Sequence, residues 1–182
     1  MSSQQNQPQG PHSPIREYFA EALRQAFRER LGLENTRSVE AYIAEVLVRF
    51  IHRDAIYAIR DSEGRRLESI AEMMAEGDVR VNAESFERER EVHRHIGDFL
   101  LFWCGLFPER LEAGGSVLNG LIDPLRQGSE SYFVVSTFDQ GRYADEAPIF
   151  RRLSVEFDAY ILGLNLLRGN LRGDAANFGL SA

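Results

Sequence analysis

The sequence predicts an all-α fold, a compact bundle of about six helices that forms a single domain over residues 15–172. Apolar residues recur at three- and four-residue spacing through several long segments, and this is the period of an amphipathic helix. Runs that alternate apolar and polar residues, as half-buried strands do, are essentially absent from the sequence. The length of 182 residues suits one domain with short tails.

Local signals define the elements of the N-terminal part. Residues 1–14 are rich in Ser, Gln and Pro and lack an apolar pattern, which predicts a disordered tail. An apolar stripe predicts a helix from Ile15 to the stop signal Gly32, and a second helix follows the capping residue Ser38. Residues 55–59 leave helix and short strand open, although a helical extension is favoured.

The middle of the chain holds a short helix and then a long one. Gly77 closes the short helix, and Ser85 is placed to cap the long one. The long helix is expected to end at Phe107, because the residue before Pro108 avoids helical dihedral angles. Its first half is charged and its second half is almost continuously apolar, which predicts one exposed end and one buried end.

Two helices are predicted in the C-terminal part. The first starts at Pro124, since proline is tolerated in the first turn of a helix. Residues 132–137 have strand propensity, but no second strong strand is present to pair with them, so helix is favoured. The last helix starts near Pro148 and keeps its apolar spacing to Leu171, and residues 173–182 are predicted to be a frayed tail.

Composition excludes several classes of function. The chain is acidic, with a net charge of −7, and this disfavours attraction to nucleic acid or anionic lipid. All of its basic residues are arginines, because the sequence contains no lysine. A lysine-anchored pyridoxal phosphate enzyme is therefore excluded, and so are P-loop and kinase sites that use a lysine.

The cysteine count and the apolar runs bear on compartment. Cys104 is the only cysteine, so neither an intramolecular disulfide nor a cysteine-cluster metal site can form within one chain. The longest apolar run, Phe99 to Phe107, is far shorter than the roughly 20 residues of a membrane-spanning helix. The first residues lack the pattern of a signal peptide, which favours a cytoplasmic protein.

The charged half of the long helix contains the only arrangement that suggests acid–base chemistry. Positions three and four apart share a helix face, so Glu91, His95 and Asp98 are expected to align. A histidine beside a carboxylate is the minimum needed for general-base catalysis. These three residues are the candidate catalytic residues, against the simpler alternative of a solvated helix face or a histidine that satisfies a buried polar group.

The histidines also raise the question of a metal site. His93 and His95 point about 200° apart around a regular helix, so they are not expected to bind one ion together. His52 lies near the end of the second helix, and a bundle that brought it to His93 or His95 would create a site from two helices. No complete metal motif is present in the sequence, and we predict neither a metal nor a cofactor.

Two hypotheses on function follow. The favoured one is a non-enzymatic protein-interaction or regulatory module that binds a protein partner, or a second copy as a homodimer, through an apolar helix face. The alternative is a helical bundle that binds a ligand or metal, or catalyses a reaction, through His95 and Asp98 between helices. Aromatic residues such as Phe99, Phe102 and Tyr132 would line that site.

Overall fold

A computed structural model describes residues 14–78, 80–112 and 122–177 of the chain. Over these residues the protein is almost entirely helical, and no β-strand is present. An isolated antiparallel bridge joins Arg60 to Arg66 inside a turn. The prediction of an all-α protein is therefore confirmed for the described part of the chain.

The two predicted tails fall partly outside the described residues, which exclude 1–13 and 178–182. The first helix begins at Pro14, next to the predicted boundary. The last helix continues to Asn177, beyond residue 172 where the helical domain was expected to end.

The first two helices form an antiparallel pair. Helix α1 spans Pro14–Arg24 and runs into a π-helical segment, Gln25–Arg30. Gly32 then adopts a positive φ of 66°, which is the stop predicted from the sequence. Helix α2 spans Arg37–Phe50 and packs against α1. The apolar stripe of α2 is buried as its periodicity predicts.

A short connection leads to the middle of the bundle. Helix α3 spans Arg53–Ile56, so only the first part of the ambiguous segment 55–59 is helical and the rest is irregular. Helix α4 spans Ile70–Gly77 and begins with a capping box, in which Ser69 and Glu72 satisfy each other's backbone N–H groups. The segment between the two helices is held by turns rather than by a sheet.

Helix α5 spans Phe86–Leu106 and lies at the centre of the described fold, in contact with α2, α4 and three later helices. Its start is capped as predicted, because the Ser85 side chain accepts a hydrogen bond from the Arg88 backbone N–H. It ends just before Pro108, where helix α6, Pro108–Glu112, begins. From Ile96 onward almost every residue of α5 is buried, which matches the buried end predicted from its apolar second half.

Helix α7 spans Pro124–Ser136 and packs along α5. The Asp123 carboxylate caps it by accepting hydrogen bonds from two backbone N–H groups of the first turn. Residues 132–137 are helical up to Ser136, which resolves the second ambiguity in favour of helix. A short 3₁₀ turn, Gly141–Tyr143, then leads to the last pair of helices.

The last predicted helix is two helices, and the prediction of a single one is wrong. Helix α8 spans Ala147–Val155, helix α9 spans Phe157–Asn177, and Glu156 between them leaves the helical conformation. The Glu156 carboxylate bridges the break, since it accepts hydrogen bonds from Arg152 Nε at 2.9 Å and from Tyr160 Oη at 2.6 Å. The estimate of about six helices merged α8 with α9 and did not include α3 and α6.

Close approach between helices depends on small residues in α5. A Cβ added at Gly97 would lie 2.6 Å from the Tyr132 ring on α7, and one added at Gly105 would lie 2.6 Å from Leu164 on α9. A real Cβ does not tolerate such distances, so both glycines let the neighbouring helix pack against the backbone of α5. Gly97 is the residue next to Asp98, so this approach also determines what surrounds the candidate site.

Candidate functional site

The three candidate catalytic residues share one face of α5, as their spacing predicts. Glu91, His95 and Asp98 all line a cleft of about 170 Å³ between α2, α3 and α5. Five further residues complete its lining: Arg49, Ala55, Ala58, Ile59 and Arg94. One wall of the cleft therefore comes from α5, and the opposite wall comes from chain segments at least 30 residues away in the sequence.

Asp98 is at the buried end of the cleft, with 1% of its surface exposed. Its Oδ1 atom accepts a hydrogen bond from Tyr42 Oη at 2.6 Å and another from Tyr132 Oη at 2.8 Å. Its Oδ2 atom accepts a hydrogen bond from Arg49 Nη2 at 2.5 Å. The carboxylate is thus held by donors from α2 and α7, and it ties both helices to α5.

The two tyrosines act as donors to Asp98 and not as proton acceptors. Burial raises the pKa of Tyr42 well above its ordinary value, and the negative charge of Asp98 raises it further. The same two causes, in the same order, raise the pKa of Tyr132. Both phenols therefore keep their protons throughout the physiological pH range and hold the charge of Asp98 in place.

His95 packs among aromatic rings and hydrogen-bonds the backbone. Its Nε2 atom donates to the Ile56 carbonyl oxygen at 2.9 Å, and its ring lies beside those of Phe50 and Phe99. Burial lowers the pKa of His95, although the charge of Asp98 works in the opposite direction. The imidazole is therefore neutral at pH 7, with the proton on Nε2.

No hydrogen bond joins His95 to Asp98 in the part of the chain that the structure describes. The aspartate is occupied by two hydroxyl groups and a guanidinium, and the histidine is oriented by a backbone carbonyl. The expected arrangement, in which a carboxylate orients a general base, is not formed by this pair. The third candidate, Glu91, is exposed at the rim, where Arg88 Nη1 donates to it at 3.0 Å.

Arg49 and Arg94 are cleft residues that the sequence did not single out. Arg94 is partly buried; burial disfavours its charge, but the negative potential of neighbours that include Asp98 outweighs this effect and raises its pKa. A signal for Arg49 did exist, because it lies seven residues after Tyr42 on the same face of α2. Nothing in a single sequence indicated that this face would meet Asp98.

The histidines considered as metal ligands do not come together. His52 is exposed before α3, whereas His93 lies beside Ser131 of α7, with 3.4 Å between His93 Nδ1 and the Ser131 hydroxyl oxygen. His95 faces the other side of α5, towards α2 and α3. Among residues 14–78, 80–112 and 122–177, no group of three or more His, Cys, Asp or Glu side chains could hold a metal ion.

A second concavity lies where the start of α7, the end of α8 and the start of α9 meet. This groove of about 590 Å³ is open to solvent on one side and has the buried ring of Phe157 in its lining. Two large apolar side chains on its walls are exposed, Leu125 by 37% and Val155 by 73%. Among the described residues, its acidic side chains are Asp123, Glu156 and Asp158, and its basic side chain is Arg126.

No family model matches the chain, and no curated protein or solved structure is similar to it. No helix among the described residues is both long and apolar enough to cross a membrane. The function is therefore inferred from the chemistry of the cleft and of the groove.

Proposed function

We propose that this protein is a non-enzymatic, helical protein-interaction module, and that the groove between α7, α8 and α9 binds an amphipathic segment of a partner protein. The exposed Val155 carries this proposal. The apolar stripe of a bundle helix normally faces the core, yet this valine is 73% exposed and lines a groove that the exposed Leu125 also lines. Apolar anchors of a helical partner fill grooves of this kind.

The chemistry of the cleft supports a binding function more than a catalytic one. Asp98 is engaged by three donors, and His95 hydrogen-bonds a backbone carbonyl and no carboxylate among the described residues. Cys104 is also unsuited to act as a nucleophile, because burial raises the pKa of its thiol to about 12. The potentially reactive side chains Asp98, His95 and Cys104 of α5 therefore contribute to the packing of the bundle.

The charges of the groove indicate the kind of partner. Its lining has three carboxylates and one guanidinium, a formal charge of −2. Arg126 is paired with Glu130 at 2.9 Å and Glu156 with Arg152 at 2.9 Å, so both of these charges are partly neutralised. The two remaining lining charges, Asp123 and Asp158, are both negative and have no ion-pair partner among the described residues. A segment with apolar anchors and flanking arginines or lysines complements such a groove, and an acidic segment is repelled by it.

A second copy of the chain is a poorer occupant than a basic partner. A twofold dimer through the groove would place the same acidic lining against itself. The whole chain carries a net charge of −7, which adds to the repulsion between copies. These charges favour a different protein over the homodimer that the sequence also allowed.

Two designed helical peptides test the proposal. Both carry leucine anchors at i, i+3 and i+7; one has lysine and arginine flanks and the other has glutamate flanks. In fluorescence anisotropy we expect the basic peptide to bind at least about tenfold more tightly than the glutamate-flanked peptide. It is also expected to shift the NMR signals of backbone amides at the start of α7 and around Val155.

Matched variants locate the binding surface. The substitution Val155→Asp is expected to weaken binding of the basic peptide about tenfold, because it places a charge among the apolar anchors. Ile51→Asp makes the same change at a residue that is 54% exposed outside the groove, and should leave binding intact. Equal binding of both peptides, or equal loss in both variants, would contradict the proposal. So would a dimer in sedimentation equilibrium that Val155→Asp dissociates.

A further inference from the structure

The cleft between α2, α3 and α5 has a shape that leaves Arg49 and Arg94 accessible. Its outer wall is formed by Ala55, Ala58 and Ile59, two of which have the smallest side chain after glycine. Its volume of about 170 Å³ is below the roughly 300–1,000 Å³ of pockets for drug-sized molecules. The space therefore fits a chemical group of only a few heavy atoms.

The negative charges of the cleft already have ion-pair partners, Arg49 for Asp98 and Arg88 for Glu91. Both oxygens of Asp98 accept hydrogen bonds, so this carboxylate offers little to a further cation. Glu91 is exposed at the rim and pairs with Arg88, which also binds Glu76 at 2.8 Å. Neither acid therefore forms an ion pair with Arg94.

The positive charges are less completely neutralised. Among the described residues Arg94 has no hydrogen-bond acceptor and no ion-pair partner within 4.0 Å, although it lines the cleft and is partly buried. Arg49 uses Nη2 for Asp98, which leaves its other N–H groups available, and 37% of its side chain is exposed. Two guanidinium groups thus converge on one small space with donors to spare.

We propose that this cleft binds a small oxyanion, a phosphate or carboxylate group, with Arg94 as its principal ligand and Arg49 as the second. Guanidinium groups present N–H donors in a fork that matches the oxygen spacing of both anions. The anion would supply the acceptors that Arg94 lacks among the described residues. The proposal is independent of the partner groove, which lies on different helices.

Thermal unfolding with simple salts tests the cleft. The probes are sodium phosphate and sodium acetate, each compared with sodium chloride at the same ionic strength, so that general screening is held constant. We expect the midpoint to rise in a saturable manner with phosphate, with acetate or with both. NMR shift changes centred on the Arg94 side chain and on Ile59 are expected over the same concentrations.

Three variants distinguish the cleft from the rest of the surface. Arg94→Gln is expected to weaken anion binding about tenfold or more, since a charge-assisted hydrogen bond is lost. Ala58→Glu leaves Arg94 in place but puts a carboxylate at the exposed wall, and should abolish binding as well. Arg30→Gln removes one exposed positive charge outside the cleft and should bind as the wild type does.

Each outcome decides the proposal. A saturable phosphate effect that disappears in both Arg94→Gln and Ala58→Glu supports a phosphate group, and the same result with acetate supports a carboxylate. The absence of any saturable effect relative to chloride would overturn the proposal. An effect that persists in Arg94→Gln would also overturn it, because the anion would then be bound elsewhere.

Discussion

Replacing Asp98 by alanine is the most direct test of how the centre of this protein is held together. The carboxylate connects three helices, because Tyr42 and Arg49 lie on α2, Tyr132 lies on α7 and Asp98 itself lies on α5. Removing it leaves all three donors without their acceptor. If the carboxylate is a structural connection, the main effect is a lower free energy of unfolding.

The expected magnitude follows from the burial of each donor. Truncating one partner of a buried, hydrogen-bonded charge pair costs about 3–5 kcal/mol. The hydroxyl of Tyr132 is fully buried and finds no water, so it contributes about 1–3 kcal/mol of that cost. The Arg49 side chain is 37% exposed and regains hydration, which reduces its share. We therefore expect Asp98→Ala to lower the free energy of unfolding by about 3 kcal/mol.

Urea unfolding measures this loss. For a slope of about 1–3 kcal/mol per molar urea, the midpoint falls by roughly 1–3 M. The matched control is Glu130→Ala, which removes an exposed carboxylate paired with the exposed Arg126 and is expected to cost less than about 1 kcal/mol. In the double variant with Tyr132→Phe, the loss should be smaller than the sum of the two single losses. An Asp98→Ala loss no larger than that of the control would refute the reasoning.

Three further predictions concern α5 and its neighbours. Gly97→Ala should lower the free energy of unfolding by about 1–3 kcal/mol, because its Cβ would meet the tyrosine ring of α7. The control Gly169→Ala adds its Cβ in open space and should cost nothing, and urea unfolding compares the two variants. Burial lowers the pKa of both His93 and His95, so the unfolded state binds protons more readily, and stability present above about pH 6.5 should be lost as the pH falls below that value. Unfolding curves at a series of pH values measure this slope, and a flat profile contradicts it. Cys104 is buried, and burial raises the pKa of its thiol to about 12. At neutral pH it should therefore react with a disulfide reagent only as fast as the protein opens, and rapid labelling of the native protein would disprove this.

The fold was largely predictable because most of its signals are local. Ser85 and Asp123 each cap the helix that begins at the next residue. Pro108 ends α5 because it disfavours helical dihedral angles at Phe107. The expected cap at Ser38 did not form, because the N-cap position of α2 is Thr36, two residues earlier. The Thr36 hydroxyl donates to the carboxylate of Glu40 and does not cap the helix. The hydrogen bond between Thr36 and Glu40 forms on the buried side of α2, and a local sequence pattern does not reveal which residues will be buried there.

The candidate site was predictable on one helix only. The spacing of Glu91, His95 and Asp98 places them on one face of α5, and all three line one cleft. The donors of Asp98 lie 34 to 56 residues away in sequence, so their arrival depends on how the helices pack. For the same reason the pairing of His95 with Asp98 could be suggested by spacing but not established by it.

Stability alone does not account for an aspartate at position 98. Replacing a buried ionic group and its partners by apolar residues of similar volume is often neutral or stabilising, so a leucine at the same place would serve a simple core. The carboxylate adds a requirement on rotation: a slip of α5 by one residue turns Asp98 by about 100° and leaves it and its donors unpaired. The rotation that satisfies Asp98 is also the one that directs Arg94 and His95 into the cleft. The buried network therefore fixes the orientation of α5 on which the proposed oxyanion site depends.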